Sequence, residues 1–328
     1  MADSVFPLIE MLGAERQRIE DELLASVTTS DEHLTELAQH LIIAGGKRLR
    51  PVLTMVAGAL GDPTISRDVV RGGVSCELVH LGSLYHDDVM DESPTRRGVE
   101  TVNAKWGNLQ AILAGDFLLA RASEIAASLG TEVAGLLAKT IAWLCEGQIE
   151  ELRTTYDASR TNESYFASIR GKTASLYGTS ARVGGIVAGL DQPVIDALTD
   201  YGDSFGMLFQ IIDDVLDIVS TDEELGKRAG HDMQVGVYTL PVLCTLARGG
   251  SDADRLQELF GETLDEAQRV EALTIVRRSG GVDDACDIAK SFVASAIAST
   301  EAFPDGQATE AMRAAPGALL DTVLSPTA

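Results

Sequence analysis

The chain is poor in several things, and each shortage excludes something. Basic residues are few: 26 Lys and Arg stand against 50 Asp and Glu, for a net charge of −24. A surface this acidic repels nucleic acid and anionic lipid, so neither is expected as a main partner. Aromatics make up 5% of the 328 residues although 45% are apolar. Small and aliphatic side chains must therefore fill the core, which favours closely packed helices over a β-sandwich. Cys76, Cys145, Cys244 and Cys286 form no CxxC pair. Each lies in an apolar helical context and is expected as a buried thiol in a reducing cytoplasm. No run approaches ~18 uninterrupted apolar residues, so no stable membrane insertion is expected. The N-terminus lacks a basic segment leading into an apolar stretch, so no signal peptide is read and a cytoplasmic location is expected.

What is present has helical spacing nearly throughout, with almost no period-two alternation. Helices are predicted over 6–26, 34–43, from Pro51 onward, and over 71–90, 108–128, 131–153, 163–188, 193–218, 238–248, 265–278 and 283–302. Short clusters such as GDPTIS, ESPTRRG and LDQPV separate them, and no Pro- or Ser-rich linker divides the chain. The fold class read from this is all-α, one domain over 1–328 with ten or more helices.

One segment echoes another: LYHDDVMD at 84–91 and IIDDVLD at 211–217 share a DDVxD core and an apolar lead-in. At ~100° per residue, Asp87 and Asp91 lie about 40° apart on a helix, with Asp88 about 60° beyond Asp91. Leu81 and Leu84 fall on the same side, so this face points inward. Burying three carboxylates uncompensated is very unfavourable. Either their pKa values rise or a cation joins them. Mg²⁺, which keeps several waters and takes further oxygens from phosphate, fits such a set. A single DDxxD is usually a solvated helix end. A second arc, Asp213, Asp214 and Asp217, makes metal-held diphosphate the better reading.

Basic residues cluster against the acidic background. Gly45-Gly46-Lys47-Arg48-Leu49-Arg50-Pro51 joins a glycine turn to three cations, a combination suited to an anion. Arg96 and Arg97 follow the first aspartates, Lys172-Thr173 sits on an apolar helix, and Lys227 lies in ELGKRAGHD. Taken singly, each is an ordinary surface cation; together they match two diphosphates. His80 and His86 lie inside an apolar helix, where a hydrogen-bonded core role is the commoner one. His86-Asp87 also raises an HD-type phosphohydrolase, but His33, His40 and His231 lack matching surroundings.

GGKRLRP, LVHLGSLYHDDVMDESPTRRG, GDFLLARA, GQIEE, GKTASL and FQIIDDVLDIVS…LGKRAGHD…TLP occur in that order. This series, from about 40 to 245, resembles the trans-isoprenyl diphosphate synthases, or polyprenyl synthetases. The resemblance implies a helical bundle around a central cavity, usually a homodimer. It implies condensation of isopentenyl diphosphate with an allylic prenyl diphosphate. Asp87, Asp88, Asp91, Asp213, Asp214 and Asp217 would bind a cluster of up to three Mg²⁺ ions; the first five, with Lys172, form the implied catalytic set. Arg96, Lys172, Thr173, Gln210 and Lys227 match positions contacting the allylic diphosphate. Gly46, Lys47, Arg50, His80 and Arg97 match the isopentenyl diphosphate pocket. One departure stands out: Val237 replaces the lysine usual in the family's GKxTLP segment. The C-terminus also lacks the family's common basic ending.

In the family, bulky residues one turn before the first motif stop chain growth. Gly82 and Ser83 are small here, and GDFLLARA with Phe117 resembles longer-chain members. A product beyond C15 is expected, with C30 or longer favoured over C20. Two other readings remain: a terpene cyclase of the same fold, and a non-catalytic subunit of a heteromeric synthase. The second DDVLD motif and the intact Lys47, Arg50 and Arg97 cluster argue against the cyclase, and the retention of both aspartate motifs argues against the subunit.

Overall fold

The structure is a computed structural model and describes residues 6–221 and 228–324. It is helical, apart from one two-stranded hairpin among the described residues. The N-terminal helices are α1 (Phe6–Leu12), α2 (Gln17–Val27), α3 (Glu32–Ile43), α4 (Leu49–Gly58) and α5 (Arg67–Met90). After the hairpin β1 (Thr95–Arg96) and β2 (Val99–Glu100) come α6 (Val102–Trp106), α7 (Asn108–Ser128), α8 (Thr131–Arg153), α9 (Asn162–Ile169), α10 (Ser175–Val187) and α11 (Gln192–Val219). The C-terminal part holds α12 (His231–Gln234), α13 (Leu240–Arg248), α14 (Gly250–Leu259), α15 (Glu266–Arg278), α16 (Gly281–Ser299) and α17 (Gln307–Leu324).

Local chemistry sets many of the boundaries. Asp31 caps α3 by accepting from the N–H groups of His33 and Leu34; Ser66 caps α5, Thr161 caps α9, and Asp265 with Gln268 forms a capping box at α15. Pro stands in the first turn of α11 and of α13, where its missing N–H leaves no bond unmade.

At the centre, α4 and α10 are buried nearly all round. α10 packs on α4, α5 and α11. Small residues bring these helices close: a Cβ on Gly202 would meet the Tyr177 carbonyl at 2.6 Å, and one on Gly206 would meet Ala174 Cα at 2.6 Å. The few aromatics gather beside this seam, with Tyr201 stacked on Phe205 at 6.0 Å and its hydroxyl donating to Met312 of α17.

Several expectations are corrected. The helix read over 6–26 is two, broken by a 3₁₀ turn at Gly13–Arg16 where Gly13 has φ +51°. The helix read over 163–188 is interrupted by a π turn, Arg170–Ala174. α14 and α17 were not read, and the latter carries Pro316 in its interior. Cys145 is exposed, not buried; the other three cysteines are buried, and all four are free. No helix among the described residues is long and apolar enough to cross a membrane.

Candidate active site

The first aspartates close α5. Asp91 is its C-cap, with its N–H donating to the Asp87 carbonyl at 2.8 Å. The three carboxylates do not share one environment, as the even arc had implied. Asp88 is 1% exposed and accepts from Arg96 Nε at 2.5 Å. Asp87 is partly buried and Asp91 exposed. Burial pushes Asp87 up to about 6, with Lys172 opposing the rise and Asp91 adding to it.

The hairpin after α5 divides the two arginines. Arg97 and Gly98 both have positive φ, +53° and +77°, as a two-residue hairpin turn of right-handed twist requires. Arg96 turns toward Asp88. Arg97 turns to the glycine loop, donating to the carbonyls of Leu41 at 3.1 Å and of Gly45. A Cβ on Gly46 would meet the Arg97 guanidinium at 2.9 Å, and its φ of +153° also favours glycine, so the loop closes on Arg97 most easily with glycine there. Arg50 lies over the Tyr177 ring, 4.7 Å from its centroid. Burial, then Arg50, Arg97, Arg96 and Arg48, hold the His80 imidazole well below its ordinary pKa. This favours the neutral imidazole, which can donate one hydrogen bond and accept another without adding charge. Burial also lowers Lys47, against the pull of Asp213 on α11.

Lys172 sits in the π turn, 2.6 Å from Glu151 at the end of α8. Burial works against its charge, but Glu151 and Asp87 outweigh it and raise its pKa. Two glycines create this approach. A Cβ on Gly171 would meet the Trp143 carbonyl at 2.7 Å, and one on Gly147 would meet the Ser168 carbonyl at 2.6 Å. The π turn and α8 thus cross backbone to backbone, which hangs Lys172 over Glu151.

On α11, Asp214 is 3% exposed and both its oxygens are engaged. Gln210 donates to Oδ1 at 2.8 Å and Tyr165 to Oδ2 at 2.5 Å. Thr173 in turn donates to Gln210 at 2.8 Å. Burial raises the Asp214 pKa well above its ordinary value, against its hydrogen bond from Tyr165. Asp217 is 4% exposed, and its carbonyl accepts from Gly230 at 2.8 Å. Asp213 is partly exposed.

No group of three or more acidic, His or Cys side chains among the described residues forms a ready metal cage. The donor set still fits a hard divalent cation. Asp87 and Asp91 are neighbours whose joint ionisation burial opposes, and Mg²⁺ takes only one or two carboxylates, with waters and phosphate oxygens completing its shell.

The structure thus gathers Asp87, Asp91 and Lys172 on one side, and Gly46, Lys47, Arg50, His80 and Arg97 on another. Lys227 lies outside the described residues. Of the residues expected to gauge chain length, Gly82 is buried at the crossing of α5 and α7. A Cβ there would meet the Gly115 carbonyl at 3.0 Å and Leu119 at 3.1 Å, so its small size has a packing reason of its own. Ser83 donates to the His80 carbonyl at 2.8 Å, and Phe117 is partly buried on α7.

Sequence reading missed Glu151, Tyr165, Asp232 and Glu77. Glu151 and Asp232 stand inside GQIEE and RAGHD, so their motifs were seen without a role. Asp232 raises the pKa values of both Asp91 and Asp214. Tyr165 has no local signal; only its position across from Asp214 reveals it.

A profile of the polyprenyl synthetase family matches residues 31–276. The chain is 39% identical over 315 residues to a nonaprenyl diphosphate synthase of Mycobacterium tuberculosis, covering 96% of this chain and 93% of that one. It is 36% identical to heptaprenyl diphosphate synthase component 2 of Geobacillus stearothermophilus, over 93% of this chain and 95% of that one. Among solved structures, a polyprenyl synthase from Caulobacter crescentus, complexed with calcium and isoprenyl diphosphate, superposes with a TM-score of 0.90 at 32% identity, over 96% and 97% of the two chains. With the profile spanning most of the chain and the relatives nearly all of it, this chain belongs to the polyprenyl synthetase family.

Proposed function

We propose that the protein is a Mg²⁺-dependent prenyltransferase that adds isopentenyl diphosphate to an allylic prenyl diphosphate, making a trans product longer than C20. The observation that carries this reading is that each aspartate motif has a lysine within its electrostatic reach. Lys172 lies in the field of Asp87 and Asp91, and Lys47 in that of Asp213.

Lys172, Thr173, Gln210, Arg96 and Lys227 hold the allylic diphosphate. Its C–O bond breaks and the pair of electrons leaves with diphosphate, where Lys172 meets the growing charge. Asp87, Asp91 and Asp213 would hold Mg²⁺, which when bound would further neutralise that leaving group. Asp88 and Asp214 act behind these ligands, fixing Arg96 and the Gln210–Thr173 pair. Lys47, Arg50 and Arg97 grip isopentenyl diphosphate through its phosphates, with neutral His80 beside them. Its double bond attacks the allylic cation, forming the new C–C bond. Loss of a proton, to the departed diphosphate, restores an alkene.

The long-chain relative supports a product beyond C20, and small Ser83 agrees with an open path one turn (~5.4 Å) before Asp87. A second copy is the proposed partner, in the cytoplasm. Leu109, Ile112 and Leu113, at 80%, 41% and 65% exposure, form an apolar stripe on α7 that a dimer would cover. The relative named as a component supports one other reading, a subunit that turns over only with a second protein.

The test is incubation of the purified chain with Mg²⁺, isopentenyl diphosphate and C10, C15 or C20 primers, sizing the products after dephosphorylation. A ladder ending beyond C20 is expected. No elongation from any primer would favour the partner-dependent subunit. Ser83→Phe should shorten the product; an unchanged length would remove Ser83 from the tunnel.

A further inference from the structure

We infer that Arg48, braced by Glu20 and Glu77, is a positioning residue that fixes the Lys47–Arg50 turn for isopentenyl diphosphate. The inference rests on the proposed activity. Arg48 has left-handed backbone angles, φ +53° and ψ +39°, a conformation that a residue with a Cβ adopts only when its surroundings impose it. The imposing contacts are plain. Its side chain is 1% exposed and donates to Glu20 from Nε at 2.8 Å and from Nη2 at 3.1 Å. Nη1 donates to Glu77 at 3.1 Å, and Nη2 to the Ile42 carbonyl at 2.8 Å. The guanidinium therefore ties the loop to α2, to the end of α3 and to α5. Burial opposes its charge, yet Glu20 and Glu77 raise its pKa.

The geometry has a consequence for its neighbours. The buried Arg48 side chain is enclosed by α2, α3 and α5, so the left-handed turn it holds fixes where the chain on either side of it runs. Lys47 comes under the influence of Asp213, and Arg50 comes to rest over Tyr177. Arg48 occupies the N-cap of α4 without capping it by side chain. Its bracing thus serves the turn's shape rather than the helix's orphan N–H groups. Loosening the brace would let the turn relax toward ordinary angles and swing both cations off the diphosphate.

Glu20 makes the idea testable at a distance. It lies on α2 and its side chain is 35% exposed. A cavity of about 340 Å³ lined by Gly13, Arg16, Gln17 and Ile19 opens beside Glu20 and Arg48, so smaller or neutral replacements at 20 meet no clash. Glu20→Gln keeps the shape and removes the charge; Arg48→Lys keeps the charge and removes the fork; Arg48→Gly keeps access to positive φ and removes the brace.

The experiment is steady-state kinetics of the full chain and the three variants, with each substrate varied in turn. KM for isopentenyl diphosphate should rise roughly tenfold in all three, with KM for the allylic primer and kcat within about twofold. Unchanged KM values beside a lower melting temperature would overturn the inference, leaving a structural ion pair. Equal rises in both KM values would overturn it too. Turnover by the unmodified chain tests the proposed activity by itself. If that chain binds isopentenyl diphosphate without turnover, the same comparison is made on calorimetric Kd values. If it neither turns over nor binds, both readings fall.

Discussion

Two nearly identical pentapeptides, DDVMD and DDVLD, meet different surroundings. The first ends a helix. Its last carboxylate, Asp91, is an exposed C-cap, and its middle one, Asp88, is held by an arginine. The second lies within α11, which runs on to Val219. Its last carboxylate, Asp217, is buried, and its middle one, Asp214, is held by the neutral donors Gln210 and Tyr165. Burial raises the pKa of both carboxyls; at Asp88 the Arg96 guanidinium opposes the rise, whereas at Asp214 only the hydrogen bonds from Tyr165 and Gln210 oppose it and the pKa goes well above its ordinary value. The difference teaches that a repeated motif need not repeat its surroundings: under the proposed mechanism the leading aspartate of each copy faces the reaction, while the middle one orients its neighbours through a charged partner in one copy and neutral partners in the other.

The largest expected effect tests that division. Asp87→Asn and Asp213→Asn should each lower kcat/KM by roughly 10³-fold, since each removes charge from the face meeting metal and diphosphate. Asp88→Asn and Asp214→Asn should lower it far less. Rates measured at saturating Mg²⁺ decide; a fall at Asp88 equal to that at Asp87 would break the comparison.

A smaller effect separates the two middle aspartates from each other. Urea unfolding with EDTA present removes any metal contribution. Asp88→Asn should destabilise by about 1–2 kcal/mol, because it removes a charge-assisted bond to an arginine that is itself 28% exposed. Asp214→Asn should change stability by less than about 1 kcal/mol, in either direction: the amide oxygen can still accept from Gln210, and the Tyr165 hydroxyl can turn to accept from the amide NH₂. Equal losses at the two sites would show that the charged and neutral partners are equivalent.

How far the sequence foretold these contrasts depends on where each signal lives. Long helices with apolar faces, such as α7, α8 and α11, were legible because their spacing is local. The Gly13 turn broke an amphipathic pattern that continues across it. The π turn at Arg170–Ala174 inserts a shift that periodicity cannot register, and α17 hid behind an interior Pro316 that reads as a stop. The motifs located Asp87, Lys47 and Lys172. They could not give Asp88 its arginine, or Asp214 its tyrosine, because those pairings join residues brought together only by the fold. Helical projection placed Asp88 on the same face as its neighbours, but the hairpin that returns Arg96 to it has no helical period.

Asp203, also on α11, is a control outside either motif. Asp203 is partly buried against α10, where a Cβ on Gly178 would meet its Cγ at 2.9 Å. Burial pushes it up to about 6, with Arg170 opposing and Asp200 adding. The folded chain therefore holds this proton at pH values where the unfolded chain has released it. Stability contributed here is fully present below about pH 4, falls as pH rises toward about 6, and stays lost above. Asp203→Asn should accordingly stabilise the protein by about 1–2 kcal/mol at pH 7.5, with the gain vanishing near pH 4. Urea midpoints of parent and variant across that range measure it. A gain that persists at pH 4 would mean that shape at Gly178, not charge, sets the penalty. A loss at pH 7.5 would mean that Arg170 holds Asp203 as a true ion pair, in the manner of Asp88 and Arg96.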